Sequence, residues 1–426
     1  SWPNALDFIS EKLSNYRNGE FALIGSPRGT NEDHYVSQKF TREFMNSANV
    51  DVSSNTHPEI TKALEEMIGT RNSTSRIWQL LDTECVLVVS SNITESQNVV
   101  SVPIKQAAAN GTKIIVIDQR ETELTRYADI WLRPKVDSEA DLIGGIMRAI
   151  IDESLEDNDV CQSFENFTEF RNSLWDYDLT DIEMTTGISQ DAIREAARMF
   201  ANADTASTIY SLETVSPDLR QDCTESVVNL SLMTGNVGNG PSGIYPMFKG
   251  ANEQGARDVG ACVEYFPNHA DADDSAIGVT NLAESLITGK IRALQVVGDS
   301  PTFDDPQLGD FYKGFEKAEL LIVHDTFESN LTDIADVVLP SSTFAEKTGT
   351  YTNLEGRVHC INPAIGTTNE SDEEWRIFSQ IAKRMGASGF EFTSSSDVFA
   401  EIQQSVSLYS DLDLDQVNKS GQLLKR

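Results

Sequence analysis

Cysteine is sparse and scattered in this 426-residue chain: Cys85, Cys161, Cys223, Cys262 and Cys360 are the five, with no CxxC and no close pair. That spacing excludes a zinc ribbon or an iron–sulfur cluster built by these residues alone, and it fits a reducing cytoplasm. Long apolar runs are missing too. None approaches the roughly 20 residues needed to cross a bilayer, so the chain is not itself membrane-spanning and is expected to be soluble or peripheral. Positive charge is short: 33 Lys plus Arg face 67 Asp plus Glu, for a formal net charge of -34. Such a surface repels polyanions, so no nucleic-acid or anionic-membrane partner is expected, and the acidity reads as a solubilising surface suited to salt. An initiator Met and a signal-peptide pattern are also lacking at Ser1-Trp-Pro-Asn-Ala-Leu6.

What is present suits a globular protein. The length allows two or three domains, and 39% hydrophobic composition is ordinary for one. Short apolar runs alternate with helical patterns, which predicts an α/β protein with doubly wound, mostly parallel sheets. Strands are predicted at 21–25, 86–90, 113–118, 206–211, 293–298, 320–325 and 336–339, with helices at 31–46, 96–109, 139–151, 190–203, 280–288 and 373–385. Several strands end in polar tips: Val89-Ser-Ser-Asn-Ile-Thr94, Ile117-Asp-Gln-Arg120, Val297-Gly-Asp-Ser-Pro301 and Val323-His-Asp-Thr-Phe327. Ligands of open parallel sheets bind at such carboxyl ends.

The densest feature runs from Leu232 to Gly260, Leu-Met-Thr-Gly-Asn-Val-Gly-Asn-Gly-Pro-Ser-Gly-Ile-Tyr-Pro-Met-Phe-Lys-Gly-Ala-Asn-Glu-Gln-Gly-Ala-Arg-Asp-Val-Gly. Alone it reads either as a flexible surface loop or as a cradle for a large polar cofactor. Other segments accompany it in order: Ser26-Pro-Arg-Gly-Thr-Asn-Glu-Asp-His-Tyr-Val-Ser-Gln-Lys-Phe40, Ala48-Asn-Val-Asp51, Ser91-Asn-Ile-Thr-Glu-Ser96, Val116-Ile-Asp-Gln-Arg-Glu-Thr-Glu-Leu124, Ala335-Asp-Val-Val-Leu-Pro340 and Glu346-Lys-Thr-Gly-Thr-Tyr-Thr-Asn-Leu-Glu-Gly-Arg-Val358. Together they resemble the molybdopterin-guanine-dinucleotide oxidoreductases, the superfamily of formate dehydrogenases and of the large iron–sulfur subunit of bacterial complex I.

The resemblance implies two α/β domains of the formate dehydrogenase/DMSO reductase type. Residues 1–52 plus 251–426 would form the first, discontinuous domain, and residues 53–250 the inserted one. Each would hold one molybdopterin guanine dinucleotide. It also implies an N-terminal iron–sulfur segment and a C-terminal β-barrel outside this chain. The dinucleotide contacts it assigns are Arg28, Asn31, Asn92, Glu95, Asp118, Arg120, Ser138, Glu139, Gly235, Asn236, Asn252, Gln254, Gly298, Asp325 and Asn353. Carboxylates suit the donor edge of guanine, and Arg suits pyrophosphate. Glu139 reads equally well as a helix-start or surface residue.

The catalytic positions depart from the family pattern. Where catalytic members carry a metal-ligating Cys or selenocysteine before a His, this chain reads Asn49-Val-Asp-Val-Ser-Ser-Asn-Thr-His-Pro58. Anchoring on His57 puts Thr56 at the ligand position, with Ser54 or Asn55 as alternatives, and a neutral hydroxyl is a poor ligand for a soft metal. Lys249 stands where formate-oxidising members carry Arg, although it also reads as a surface lysine, and the two cations are not equivalent. His57 reads as a proton acceptor or as a structural residue at a helix start. The stretch Leu212-Glu-Thr-Val-Ser-Pro217 departs from the family's Gly- and His-rich pattern, so one half of the cofactor pocket is expected to be altered.

Asn353-Leu-Glu-Gly-Arg357 matches the complex I-type "NxEGR". The resemblance therefore predicts a subunit of an NADH-quinone oxidoreductase with a degenerate metal site, retaining or lacking its pterin. It would be cytoplasmic, meeting the inner membrane through partner subunits of a respiratory or formate-oxidising complex. The alternatives are a molybdenum- or tungsten-dependent formate dehydrogenase alpha subunit and a nucleotide-binding module without redox role.

Overall fold

Runs of branched and aromatic residues set the sheets. A computed structural model describes residues 1–238, 240–267, 275–298, 311–367 and 370–425. Its strands are β1 (Phe21–Gly25), β2 (Val50–Val52), β3 (Cys85–Val89), β4 (Lys113–Ile117), β5 (Ile130–Leu132), β6 (Ala206–Tyr210), β7 (Gly243–Pro246), β8 (Ala293–Val297), β9 (Leu320–Asp325), β10 (Val337–Pro340), β11 (Gly349–Thr352), β12 (Arg357–Ile361) and β13 (Gln422–Leu423). They form two all-parallel five-stranded sheets, ordered β10-β9-β8-β1-β2 and β5-β4-β3-β6-β7, and an antiparallel sheet β11-β12-β13. The predicted α/β class with parallel sheets is what the fold shows.

The chain divides into two compact units, one of Ser1–Thr56 with Gly250–Arg426 and the other of His57–Lys249. In the discontinuous unit the two-residue period of β1 feeds two cores. Phe21 and Leu23 join Phe40, Trp375, Phe378, Phe399 and Tyr409, while Ala22 and Ile24 join Leu294, Val296, Leu321 and Val323 on the other face. Burial on both faces is why these strands read as unbroken apolar runs. Pro340 ends β10, an edge strand, where a missing N–H costs no ladder bond. In the continuous unit, Leu87, Val89, Ile115, Ile117 and Tyr210 pack with helices Glu139–Glu153, Gln190–Ala201 and Arg220–Met233.

Strand order reverses between β1 and β8 in one unit and between β3 and β6 in the other. Both sheets therefore carry a topological switch point at their carboxyl edge. The helix after β1 begins with a reciprocal cap: Thr30 Oγ1 accepts from Asp33 N–H at 3.1 Å, and Asp33 accepts from Thr30 N–H at 2.9 Å. It is α-helical over Asn31–Lys39 and then widens into a π turn over Phe40–Phe44, closed by Met45 N–H to Phe40 O at 2.9 Å. The predicted helix to residue 46 is thus two helices of different pitch.

Candidate functional site

At the carboxyl edge of the discontinuous unit's sheet, the tips of β1, β8, β9 and β10 surround a cavity of about 480 Å³. Arg28, Gly298 and Asp325, all read as contacts, line it, joined by Ser341, Ser342, Lys347 and Glu374, which sequence reasoning missed. Asp299, Ser300 and Pro301 of the same predicted tip lie outside the described residues. Asp325 accepts from Thr326 N–H at 2.7 Å and Ser329 Oγ–H at 3.4 Å. Lys347 is buried between Asp33 at 2.8 Å and Glu374 at 2.7 Å. Against the penalty of burial, those two carboxylates hold its ammonium above the usual lysine range.

The asparagines do something different from contacting this cavity. Asn252 donates to Gly29 O and Asn31 Oδ1, both at 2.9 Å, and accepts from Thr352 N–H at 2.7 Å. Asn31 donates to Thr350 and Thr352 hydroxyls at 3.0 and 3.2 Å. These buried amides are occupied in pinning the turn that presents Arg28. Gly250 completes the clamp, since a Cβ there would lie 2.0 Å from Pro27 Cβ. Asn353 caps the β11–β12 turn by accepting from Glu355 and Arg357 N–H, each at 3.0 Å. Gln254 donates to Asp258 at 2.8 Å, and its buried Oε1 has no partner among the described residues.

In the continuous unit the tips of β3, β4 and β6 converge. Arg120 reaches Asp118 through Nε and Nη2, each at 3.2 Å, and Glu213 through Nη2 at 3.3 Å. Asn92 donates to Glu95 at 2.6 Å. Glu139 opens the helix Glu139–Glu153 and accepts from Gln119 at 2.9 Å and Ser90 at 3.2 Å through Oε1. Burial raises its carboxyl group above the usual range. Ser138 Oγ turns back to Lys135 O at 2.7 Å instead of capping that helix. Glu139 Oε2, Ser91 Oγ and Thr122 Oγ1 are buried with no partner among the described residues.

Gly235 and Asn236 lie elsewhere. Asn236 accepts from the N–H of Ala206, the first residue of β6, and so sits at the amino end of the sheet, away from Asp118 and Arg120. The Gly-rich segment is thus several elements: a left-handed turn at Gly235, strand β7 and the short helix Glu253–Asp258. Asn239 within it lies outside the described residues.

Among the three positions read as catalytic, Thr56 is buried and its hydroxyl, like that of Ser54, has no partner among the described residues. Asn55 is committed: it donates to Asp51 at 2.8 Å and to Glu264 at 3.0 and 2.9 Å. Asp51, Cys262 and Glu264 bring ligand-type atoms within 4.8 Å of one another, but the Asn55 amide already fills the space between the carboxylates. Burial, then the Asp51 carboxylate, pushes the Cys262 thiol well up, so it is held as a thiol. In the continuous unit, His57 Nδ1 is bonded by Arg220 Nη1, a partner the sequence did not indicate. Lys249 is exposed.

The chain belongs to the molybdopterin oxidoreductase family, whose profile matches residues 1–384. It is 31% identical over 440 residues to the F420-dependent formate dehydrogenase 2 subunit alpha of Methanococcus maripaludis, covering 99% of this chain and 65% of that protein. Formate dehydrogenase H of Escherichia coli is 31% identical over 412 residues, covering 91% of this chain and 58% of that one. Acetylene hydratase from Pelobacter acetylenicus shares the fold, with a TM-score of 0.79 at 19% identity over all of this chain and 64% of that one. The chain thus spans about two thirds of these relatives' length, 58–65%. Formate dehydrogenases among the relatives favour the formate dehydrogenase expectation over the complex I-type one.

The residues fit the family's dinucleotide: buried polar atoms with no partner among the described residues collect at the tips of β3 and β4, and a cavity lined by Arg28 and Lys347 together with Asp325 and Glu374 opens at those of β1 and β8–β10. They do not fit a thiolate-held metal. Positions 54 and 56 offer hydroxyl oxygens, and no step is assigned to a metal there.

Proposed function

We propose that this chain is the dinucleotide-binding region of a formate dehydrogenase alpha-type subunit. In this reading its two units are the family's two pterin domains, each holding one molybdopterin guanine dinucleotide at its carboxyl strand tips. The carrying observation is the cavity lined by Arg28, Gly298, Asp325, Lys347 and Glu374, where cations for phosphate and carboxylates for a guanine edge stand at one sheet edge. Asp118, Arg120 and Glu139 provide the same pairing in the other unit. When bound, the pterin carries the centre at which the two-electron chemistry takes place. The chain's own part is to grip the dinucleotide and hold His57. Other subunits of the complex would carry electrons onward. No described helix is long and apolar enough to cross a membrane, so any membrane contact through a spanning helix would come from segments outside those described or from partners.

The full-length protein, made in a host that synthesises the cofactor, tests this. Acid treatment should release two guanosine monophosphates per chain along with pterin fluorescence, and formate should reduce an added viologen dye. Absence of both nucleotide and pterin would overturn the reading. Pterin without formate-dependent reduction would overturn the substrate alone.

A further inference from the structure

We propose that a small apolar cavity in the continuous unit docks a basic amphipathic segment of a partner protein, one apolar side chain entering the cavity and flanking Lys or Arg meeting the acidic groups beside it. The cavity, of about 180 Å³, lies against the last turn of the helix Arg220–Met233 and is lined by Cys161, Phe164, Phe167, Phe170, Leu232 and Met233. A hole of about 150 Å³ takes one benzene, so this one has room for a single Leu, Met or Phe side chain. Its walls are tied to that helix by Asp157 N–H to Met233 O at 2.9 Å and by Cys161 Sγ–H to the same carbonyl at 3.4 Å. Burial pushes the Cys161 thiol up to about 11, so it serves as a floor and not as a nucleophile.

The helix Phe167–Ser173 carries no buried residue, although Phe167 and Phe170 stand one turn apart with ring centroids 6.4 Å from each other. Seven residues are too few to hold a helix alone, and aromatic rings left partly exposed are apolar area still open to burial. Phe164 is 42% exposed. Trp175, the next exposed aromatic residue, is already partnered: the Arg148 guanidinium covers its ring at 4.0 Å. Charge selects the occupant. From Glu156 to Asp178 the chain has seven acids and one base, Arg171, itself paired with Glu156 at 3.5 Å. Glu165 and Glu169, both exposed, alternate with the three phenylalanines. A second copy would bring the same acidic patch and another net charge of -34, and an anionic bilayer would be repelled in the same way. An apolar anchor with flanking cations suits both the cavity and its surroundings. None of the dinucleotide contacts lies on this segment, so the proposal is independent of the formate reading.

The test uses the full-length protein purified with its partner subunits, carrying the photo-reactive residue benzoylphenylalanine in place of Phe164, with cross-linked peptides read by mass spectrometry. The cross-link should fall on another polypeptide, at an apolar residue with Lys or Arg within about one helical turn on either side. A synthetic amphipathic helix of Leu and Lys, about five turns long, is the binding probe, and a scrambled peptide of the same composition is its control. The ordered peptide should bind about 10-fold or more tightly than the scramble, and either Glu165→Lys with Glu169→Lys or NaCl raised from about 0.05 to 0.5 M should weaken it by a similar factor. Phe167→Ser with Phe170→Ser, its fold checked by circular dichroism, should abolish the preference for the ordered peptide. A cross-link to a second copy, to another part of the same polypeptide, to lipid or to a segment without cations, or no cross-link at all, would overturn the proposal. So would equal binding of the two peptides, or binding that neither the charge reversal nor salt weakens.

Discussion

Two buried groups near the first cavity carry predictions at the scale of single residues. Lys347 neutralises Asp33 and Glu374, all three of them buried, so Lys347→Met leaves two buried carboxylates without their cation. A loss of about 3–5 kcal/mol in urea unfolding is expected, far above the 0–1 kcal/mol of a surface ion pair. Glu32 is buried beside Thr350, and desolvation raises it to about 7. Its folded value lies above its unfolded one, so the native state keeps a proton that the unfolded chain releases. Stability from this group is full below the unfolded value and is lost as pH rises through about 7. Glu32→Gln should remove up to about 3 kcal/mol of that fall, seen as a flatter urea midpoint between pH 4.5 and 7. Glu374, also raised to about 7 by burial, keeps part of the slope. Asp118, Arg120 and Asp325 were legible because they stand at or just beyond a strand end, and Arg28 because its segment resembles the family's. Arg220 was not, because its partner lies 163 residues away and no local pattern joins them.

Helix packing turns on two glycines in the middle of Glu139–Glu153. A Cβ on Gly144 would lie 2.1 Å from the Tyr177 ring, and one on Gly145 would lie 2.9 Å from Ile182. Gly144→Ala gains roughly 1 kcal/mol of helix propensity but forces the ring out at about 1–3 kcal/mol. A net loss of about 1 kcal/mol is expected, read as a lower urea midpoint. The central strands were legible within a residue at each end, because runs buried on both faces are continuous in sequence. Strands β2, β5 and β7 were not, being three or four residues long, with β7 inside the Gly-rich segment. Helix Arg220–Met233 escaped for the opposite reason: Cys223, Thr224, Val227, Val228, Leu230 and Ser231 are buried around much of its circumference, so no stripe separates core from solvent.

For the whole molecule, the excess of 34 negative charges opposes folding through self-repulsion that salt screens. Raising NaCl from about 0.01 to 0.5 M should raise Tm by several degrees in a thermal scan, and a flat response would show the charge to be locally neutralised. Composition made that legible. It could not show which of the many carboxylates are buried, since Asp33, Glu139 and Glu374 look like any others in the sequence.

Strand β1 pairs with β2 as Leu23↔Val50 but needs β8 for its other edge, as Phe21↔Ala293. During synthesis at about 5–20 residues per second, that second edge stays bare for tens of seconds while the intervening residues emerge. Strands β3 to β7, all within 57–249, are meanwhile complete and can pair. The nascent chain therefore carries a finished insert behind an unfinished apolar strand, Phe-Ala-Leu-Ile-Gly, the segment a ribosome-bound chaperone would have to shield.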